Sequence, residues 1–400
     1  MKNSTFLLVF AFALSTLWAQ EAEWTEREEL PGPARHHPVT WSIDGYGYVL
    51  TGSAPNNAPL SDMYKYDPEN DEWEQLPDFA GPARSFSIGA TYEGEGYLGF
   101  GVGATRYLND LWKYNPETDT WTELASCPCR PRAHPAFSIA DGKIFVGMGN
   151  NNVDGNFNDY WAYDIEEDEW EQIDNLPGVP RHHPFHFVID DIVFAGFGHG
   201  AGIYNDWYKY DPQDEEWERM GDLPGEERVA GTQFSWGGKG YVLSGDGRTH
   251  ENLEEGEFWE YEPETDSWTQ LPSHPGMGRW APGSFVIDGT VYFLAGQVRS
   301  IGLFNDLWSY ELESPTSVEN QKVETLKVYP NPTQQEVSFE VPTANLSGSL
   351  LTVYSSTGKR LYTERNAEGR LDMEAFANGL YLLKLQTADG QVYQAKVLKQ

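Results

Sequence analysis

Tyr66 is followed seven residues later by Trp73, and the same step recurs at Tyr114 and Trp121, Tyr163 and Trp170, Tyr210 and Trp217, and Tyr261 and Trp268. No other feature constrains the fold as much. The tryptophans Trp24, Trp73, Trp121, Trp170, Trp217 and Trp268 stand 49, 48, 49, 47 and 51 residues apart. A period near fifty, built from short apolar strands that end in glycine, points to one four-stranded sheet per repeat arranged around an axis. A sixth tyrosine, Tyr310, closes the run Asn305-Asp306-Leu307-Trp308-Ser309-Tyr310, but seven residues on the chain carries Ser317. Trp24, at the other end, makes good the missing tryptophan. The arithmetic predicts an all-β ring of six units whose last sheet is completed by the N-terminal strand. One sheet cannot bury both faces alone, so neighbours must stack, and closure removes two exposed edges that would template aggregation.

Each unit reads as four strands, a to d. In the first, His37 to Ile43 is strand a, Asp44-Gly45 a tight hairpin turn, Tyr46 to Thr51 strand b, Met63 to Tyr66 strand c and Glu72 to Gln75 strand d. The hairpin recurs at Asp141-Gly142, Asp190-Asp191, Gly237-Gly238 and Asp288-Gly289. Acids gather between strands c and d, as in Asp67-Pro68-Glu69-Asn70-Asp71-Glu72, where the chemistry is that of solvated turns rather than cation sites. Each unit leaves through Leu-Pro or a near equivalent and reaches an arginine: Arg35, Arg84, Arg132, Arg181, Arg228 and Arg279.

Arginine ahead of strand a, Asp-Gly, a glycine-ended strand b, Asn-Asp-x-Trp-x-Tyr and a tryptophan seven later together resemble kelch repeats, over about Trp24 to Leu312. The paired glycine usual after strand b is altered here to Thr51-Gly52, Met148-Gly149, Phe197-Gly198 and Ala295-Gly296. The fifth unit departs furthest, with Gly245-Asp246-Gly247, a long acidic loop, and Gly256-Glu257 in place of Asn-Asp. The resemblance implies a six-bladed kelch β-propeller closed by the N-terminal strand. Such propellers bind proteins or sugars, and a minority are enzymes, so fold alone leaves function open.

Residues 1–20 read as a secretory signal peptide: Lys2, then an apolar run from Phe6 to Leu14 too short to span a bilayer. The propeller is expected over 21–314 and a linker over 315–325. Residues 326–400 then show short alternating strands with Asn-Gly and Gly turns, which predict a small immunoglobulin-like β-sandwich. The Leu326-Lys327-Val328-Tyr329-Pro330-Asn331-Pro332 opening, Val353-Tyr354 with Gly358, and Gly379-Leu380-Tyr381 resemble the C-terminal sorting domain of the type IX secretion system of Bacteroidetes. That resemblance implies export through the periplasm, the type IX machinery as a partner of residues 326–400, and either release or attachment at the outer-membrane surface. The formal net charge of −35 excludes the basic stripe that nucleic-acid binding needs, and no segment is long and apolar enough to be a transmembrane helix.

Strands a and b are antiparallel, so the start of a and the end of b share one face, and strand a lines the channel of a propeller. The six arginines are therefore expected around one channel mouth, beneath b–c loops that carry Arg106, His199, Asp246, Arg248, His250 and Arg299. A cationic mouth on an acidic protein focuses anions, and guanidinium forks suit carboxylates, so acidic sugars or an acidic peptide are the natural ligands. The other reading has each repeat arginine bonding carbonyls of its own or the adjacent blade. His37, His134 and His183 each follow an arginine by two. Six-fold placement is expected to hold them apart, so no metal and no cofactor is expected. Cys127 and Cys129 are the only cysteines; an exported protein meets oxidants, so a bond is permitted, although one intervening residue makes a small ring. They do not reproduce the cysteine–tyrosine copper ligand set of the related galactose oxidase.

Function therefore reads as a secreted or displayed propeller that binds a glycan or protein at the channel mouth. One alternative is a sugar-active enzyme similar to the bacterial sialic-acid mutarotases (N-acetylneuraminate epimerases), with Glu226, Glu227, Glu254 or Glu255 as the acid–base carboxylate; no motif fixes a catalytic residue. A second is a structural surface protein without a small ligand.

Overall fold

The computed structural model describes residues 23–312, 324–341, 346, 349–355, 360–365, 369–387 and 392–400. The expected signal peptide, and the expected linker up to residue 323, lie outside the described residues. The chain divides into two compact units, Met1–Leu312 and Glu313–Gln400.

Six four-stranded antiparallel sheets make up the first unit. In the first, Val39–Ile43, Tyr46–Leu50, Met63–Asp67 and Glu72–Leu76 pair in chain order. The sixth contains Gly283–Ile287, Thr290–Leu294 and Leu307–Glu311, and its outer strand is Thr25–Arg27, which pairs Thr25 with Ser309 and Arg27 with Leu307. The N-terminal strand thus completes the last sheet. Each sheet's inner strand packs on the next, and that of the sixth packs on that of the first. The ring also closes through the backbone: Gly296 N donates to Arg35 O at 2.9 Å, as Gly52 N does to Arg84 O one sheet on.

The spacing of seven has a direct cause. Tyr66 lies opposite Trp73 across a c–d hairpin, as Tyr114 lies opposite Trp121, and the paired rings stand 4.9 and 5.0 Å apart. Such cross-strand aromatic pairs contribute about 1 kcal/mol each beyond area burial. Trp24 and Tyr310 make the equivalent contact at 5.2 Å from opposite ends of the unit. The indole N–H then ties neighbouring sheets: Trp73 Nε1 donates to Glu28 O and Trp170 Nε1 to Ala125 O. The turn acids do likewise, since Asp168 accepts from Tyr163 Oη and from Ala125 N.

Strand a begins at Val39 rather than at His37, because His37 has φ 53°. The positions after strand b are also left-handed: Thr51 and Gly52 have φ 53° and 100°. A Cβ on Gly52 would meet the His36 and His37 carbonyl oxygens at 3.0 Å, so the second of the pair stays glycine while the first tolerates a side chain. Cys127 and Cys129 are joined by a disulfide and buried among Phe100, Phe137 and Tyr163.

The second unit is a sandwich over one core of Leu326, Val337, Phe339, Leu351, Val353 and Leu383. A five-stranded sheet holds Glu324–Thr325, Val392–Lys399, Gly379–Gln386, Leu350–Ser355 and Arg360–Arg365; a three-stranded sheet holds Lys327–Tyr329, Glu336–Glu340 and Arg370–Asp372. Glu324–Thr325 runs parallel to Val392–Lys399, so the last two residues of the expected linker belong to this sheet.

Candidate functional site

The six repeat arginines do not line an open mouth. Arg35, Arg84, Arg132, Arg181 and Arg228 are 0 % exposed and Arg279 is 4 % exposed. Five of them fork onto the aspartate just ahead of their own sheet's strand c: Arg35 onto Asp62, Arg84 onto Asp110, Arg132 onto Asp159, Arg181 onto Asp206 and Arg279 onto Asp306. The same guanidinium donates to the carbonyl that the left-handed turn after strand b aims at it, as Arg132 Nη1 does to Met148 O at 2.9 Å. Charge-assisted, bidentate and buried, these bonds build the blade and leave no fork for a ligand. The fifth sheet breaks the pattern. Arg228 meets Glu257 through one nitrogen at 2.5 Å, its Nε and Nη1 are buried without partners, and burial lowers its pKa.

The other four predicted residues fare differently. Arg106 is exposed. Arg248 is exposed but forked onto Glu227. Arg299 reaches the fully buried Asp246 at 2.7 Å and lies over the Trp280 ring. Burial raises the Asp246 pKa and Arg299 opposes it. His199 stands between His182 and His250, with ring centroids 5.0 and 4.4 Å away. The cationic mouth is therefore largely neutralised; imidazoles, amides and Trp280 dominate this face.

The histidines do converge, against the expectation that six-fold placement holds them apart. The residue two after each repeat arginine is His37, Phe86, His134, His183, Ala230 or Ala281, and all six have φ between 50° and 59°. They stand at the axis, where repeat symmetry brings equivalents together rather than separating them. His37 N donates to Ala281 O and His183 N to His134 O. The imidazoles of His134 and His183 stack at 3.7 Å, and Phe86 fills in beside His37 and His134 at 4.8 and 4.6 Å. Trp280 covers His36 and His37, each at 4.7 Å. Burial lowers His36 and His182 to about 4 and His134 to about 3, and pushes His37 and His183 well below the usual imidazole value. All are neutral at pH 7. The sequence carried the signal, because three histidines at one repeat position must face one another; Phe86 and Trp280 went unremarked although they occupy that position and the one before it.

These rings form one end of an axial cavity of about 430 Å³. Its walls are the inner strands, with Thr40, Ser42, Ser138, His186, Gln233 and Ser235 among the lining residues. Below the ring layer the polar walls bound a partly open chamber.

Two family descriptions match the chain: the KLHDC2/KLHL20/DRC7 Kelch-repeats domain over residues 2–191 and the secretion system C-terminal sorting domain over residues 327–400. Residues 2–191 thus match kelch repeats, and residues 327–400 a type IX sorting domain. That domain marks the protein for export and for secretion or surface display. Among the described residues no helix is long and apolar enough to cross a membrane. An ulvan lyase of Nonlabens ulvanivorans is 28 % identical over 130 residues, which cover 28 % of this chain and 23 % of that protein. The kelch chain thus spans less than a quarter of that relative's length.

Proposed function

We propose that the exported propeller binds a glycan on its b–c face. The observation that carries this reading is the b–c face: a partly exposed Trp280 indole crossed by Arg299, a separate run of rings through His182, His199 and His250, and an exposed Arg106. A flat aromatic face with a few convergent polar groups suits a sugar ring, whose apolar side stacks and whose hydroxyls take the amides and imidazoles. The ulvan lyase similarity, short as it is, agrees with a glycan ligand. Several of the carboxylates that an acid–base enzyme could use are already engaged, while Glu254 and Glu255 stand exposed. Asp154 pairs with Arg130, Asp246 with Arg299 and Glu227 with Arg248, while Glu226 accepts from Arg248 N.

A thermal-shift screen of the full chain against neutral and acidic oligosaccharides tests this. A ligand at a hundred times its dissociation constant adds about 2.7 kcal/mol of stability. Trp280→Ala is expected to abolish the shift for every hit, and Arg106→Ala to weaken only acidic ones. No shift with any sugar would remove the glycan reading and turn the search to protein partners.

A further inference from the structure

We propose that His37, His134 and His183 form a divalent transition-metal site on the propeller axis, at the closed end of the channel. One ring nitrogen of each lies within 4.8 Å of those of the other two. The proposal stands apart from the glycan reading, because these rings lie in the layer beneath Trp280 rather than on the open face.

The surrounding hydrogen bonds prepare these nitrogens as ligands. Asn57 Oδ1 lies 3.0 Å from His36 Nε2, so that nitrogen carries the proton and His36 Nδ1 is an acceptor. His37 Nδ1 stands 2.7 Å from His36 Nδ1 and must donate to it. A neutral His37 then presents the lone pair of Nε2. Asn150 Oδ1 lies 3.1 Å from His134 Nδ1 and fixes the same tautomer there. His134 Nε2 is buried and has no hydrogen-bond partner, which in a native interior calls for an unseen group. His183 Nε2 completes the set, 2.8 Å from His37 Nε2. Partners that fix tautomer and ring direction in this way are the usual outer layer of a histidine metal site.

The chemistry selects the ion. Three neutral imidazoles suit Zn²⁺, Cu²⁺, Co²⁺ or Ni²⁺ and offer nothing to Mg²⁺ or Ca²⁺, which want oxygen. A tetrahedral site with metal–nitrogen bonds of about 2.1 Å holds its nitrogens about 3.4 Å apart. The His37–His183 pair at 2.8 Å has to open slightly, and His134, whose nitrogen lies within 4.8 Å of both, has to close in. All three histidines line the 430 Å³ cavity, so the remaining coordination positions face a polar chamber that admits water or a small oxygen-donor ligand.

The test titrates the EDTA-stripped full chain with ZnSO₄ by calorimetry, in salt high enough to screen the acidic surface. One site per chain is expected. His134→Ala and His183→Ala are expected to weaken it at least about 100-fold, the positioning variant Asn150→Ala by about 10-fold, and His186→Gln not at all. Should the alanine variants fail to fold, the wild-type chain loaded with one equivalent of Cu²⁺ gives a second reading by electron paramagnetic resonance. Coupling to imidazole nitrogens supports the site. No stoichiometric binding, binding untouched by both alanine variants, or copper held only by oxygen would overturn it.

Discussion

A buried arginine contributes to this protein through what it satisfies. Arg132, itself fully buried, closes a bidentate pair with the half-buried Asp159 and donates to the Met148 carbonyl. Arg132→Met removes the donor, keeps most of the volume, and leaves a carboxylate and a carbonyl stranded. Breaking a buried pair from one side costs about 3–5 kcal/mol. Of the 15 tryptophans all but Trp18, in the expected signal peptide, lie between Trp24 and Trp308, so tryptophan fluorescence during urea unfolding of the processed chain reads the propeller. The variant should lose most of the propeller's denaturant resistance, while Arg248→Ala, at an exposed pair, should leave the midpoint unmoved. An equal response from both would mean that the arginine forks are incidental. The recurrence of these arginines was plain in the sequence; their role was not. Asp159 is 27 residues downstream, just ahead of strand c, and only the folded sheet shows that the aspartate of the Asn-Asp doublet is the arginine's partner. Single positions misled at the axis for a related reason. Counting six units suggested separation, whereas the position two after the arginine is where the units come closest.

Among the elements, Thr25–Arg27 is the shortest blade strand and holds the ring shut. Trp24 precedes it, donates from Nε1 to Pro272 O and packs on Phe258, Phe293 and Tyr310. It therefore does at the chain's beginning what Trp73 does mid-chain. Trp24→Ala should cost about 2–4 kcal/mol, comparable to Trp73→Ala, because both remove a large ring that bridges two sheets. Paired urea titrations of the two variants compare them directly. A cost under about 0.5 kcal/mol for Trp24→Ala would show a frayed end rather than a closing strand. Strand order, hairpins and closure were legible because period and turn chemistry depend on local residues. Strand a was misjudged at its start: a residue before proline favours extended backbone, so His37-Pro38 reads as strand. The axial ring overrides that preference. His37 N must reach Ala281 O, and only a left-handed turn points it there.

For the whole molecule, two charge effects oppose each other on acidification. The formal charge of −35 makes the folded chain repel itself, and adding protons should relieve that. Buried histidines act the other way. Burial lowers His186 to about 4, beside Ser138 and Gln233, and His274 to about 3, against Ser244 and near Arg279. Each is neutral when folded and takes up a proton below about 6.5 when unfolded. The unfolded state therefore binds more protons, and stability falls as pH drops from 6.5 towards these values. Between pH 6.5 and 5.5 few carboxylates protonate, so repulsion barely changes. Over that unit the two histidines should cost about 2 kcal/mol together, and the axial imidazoles, with EDTA keeping divalent ions away, add to the same sign. Urea midpoints of the propeller in EDTA should thus decline steadily from pH 6.5 to 5.5. His186→Gln should flatten the decline by about half of the two-histidine share. A midpoint that stays level or rises would mean that these rings are already charged in the folded protein, and with it that the channel is wetter than its walls imply.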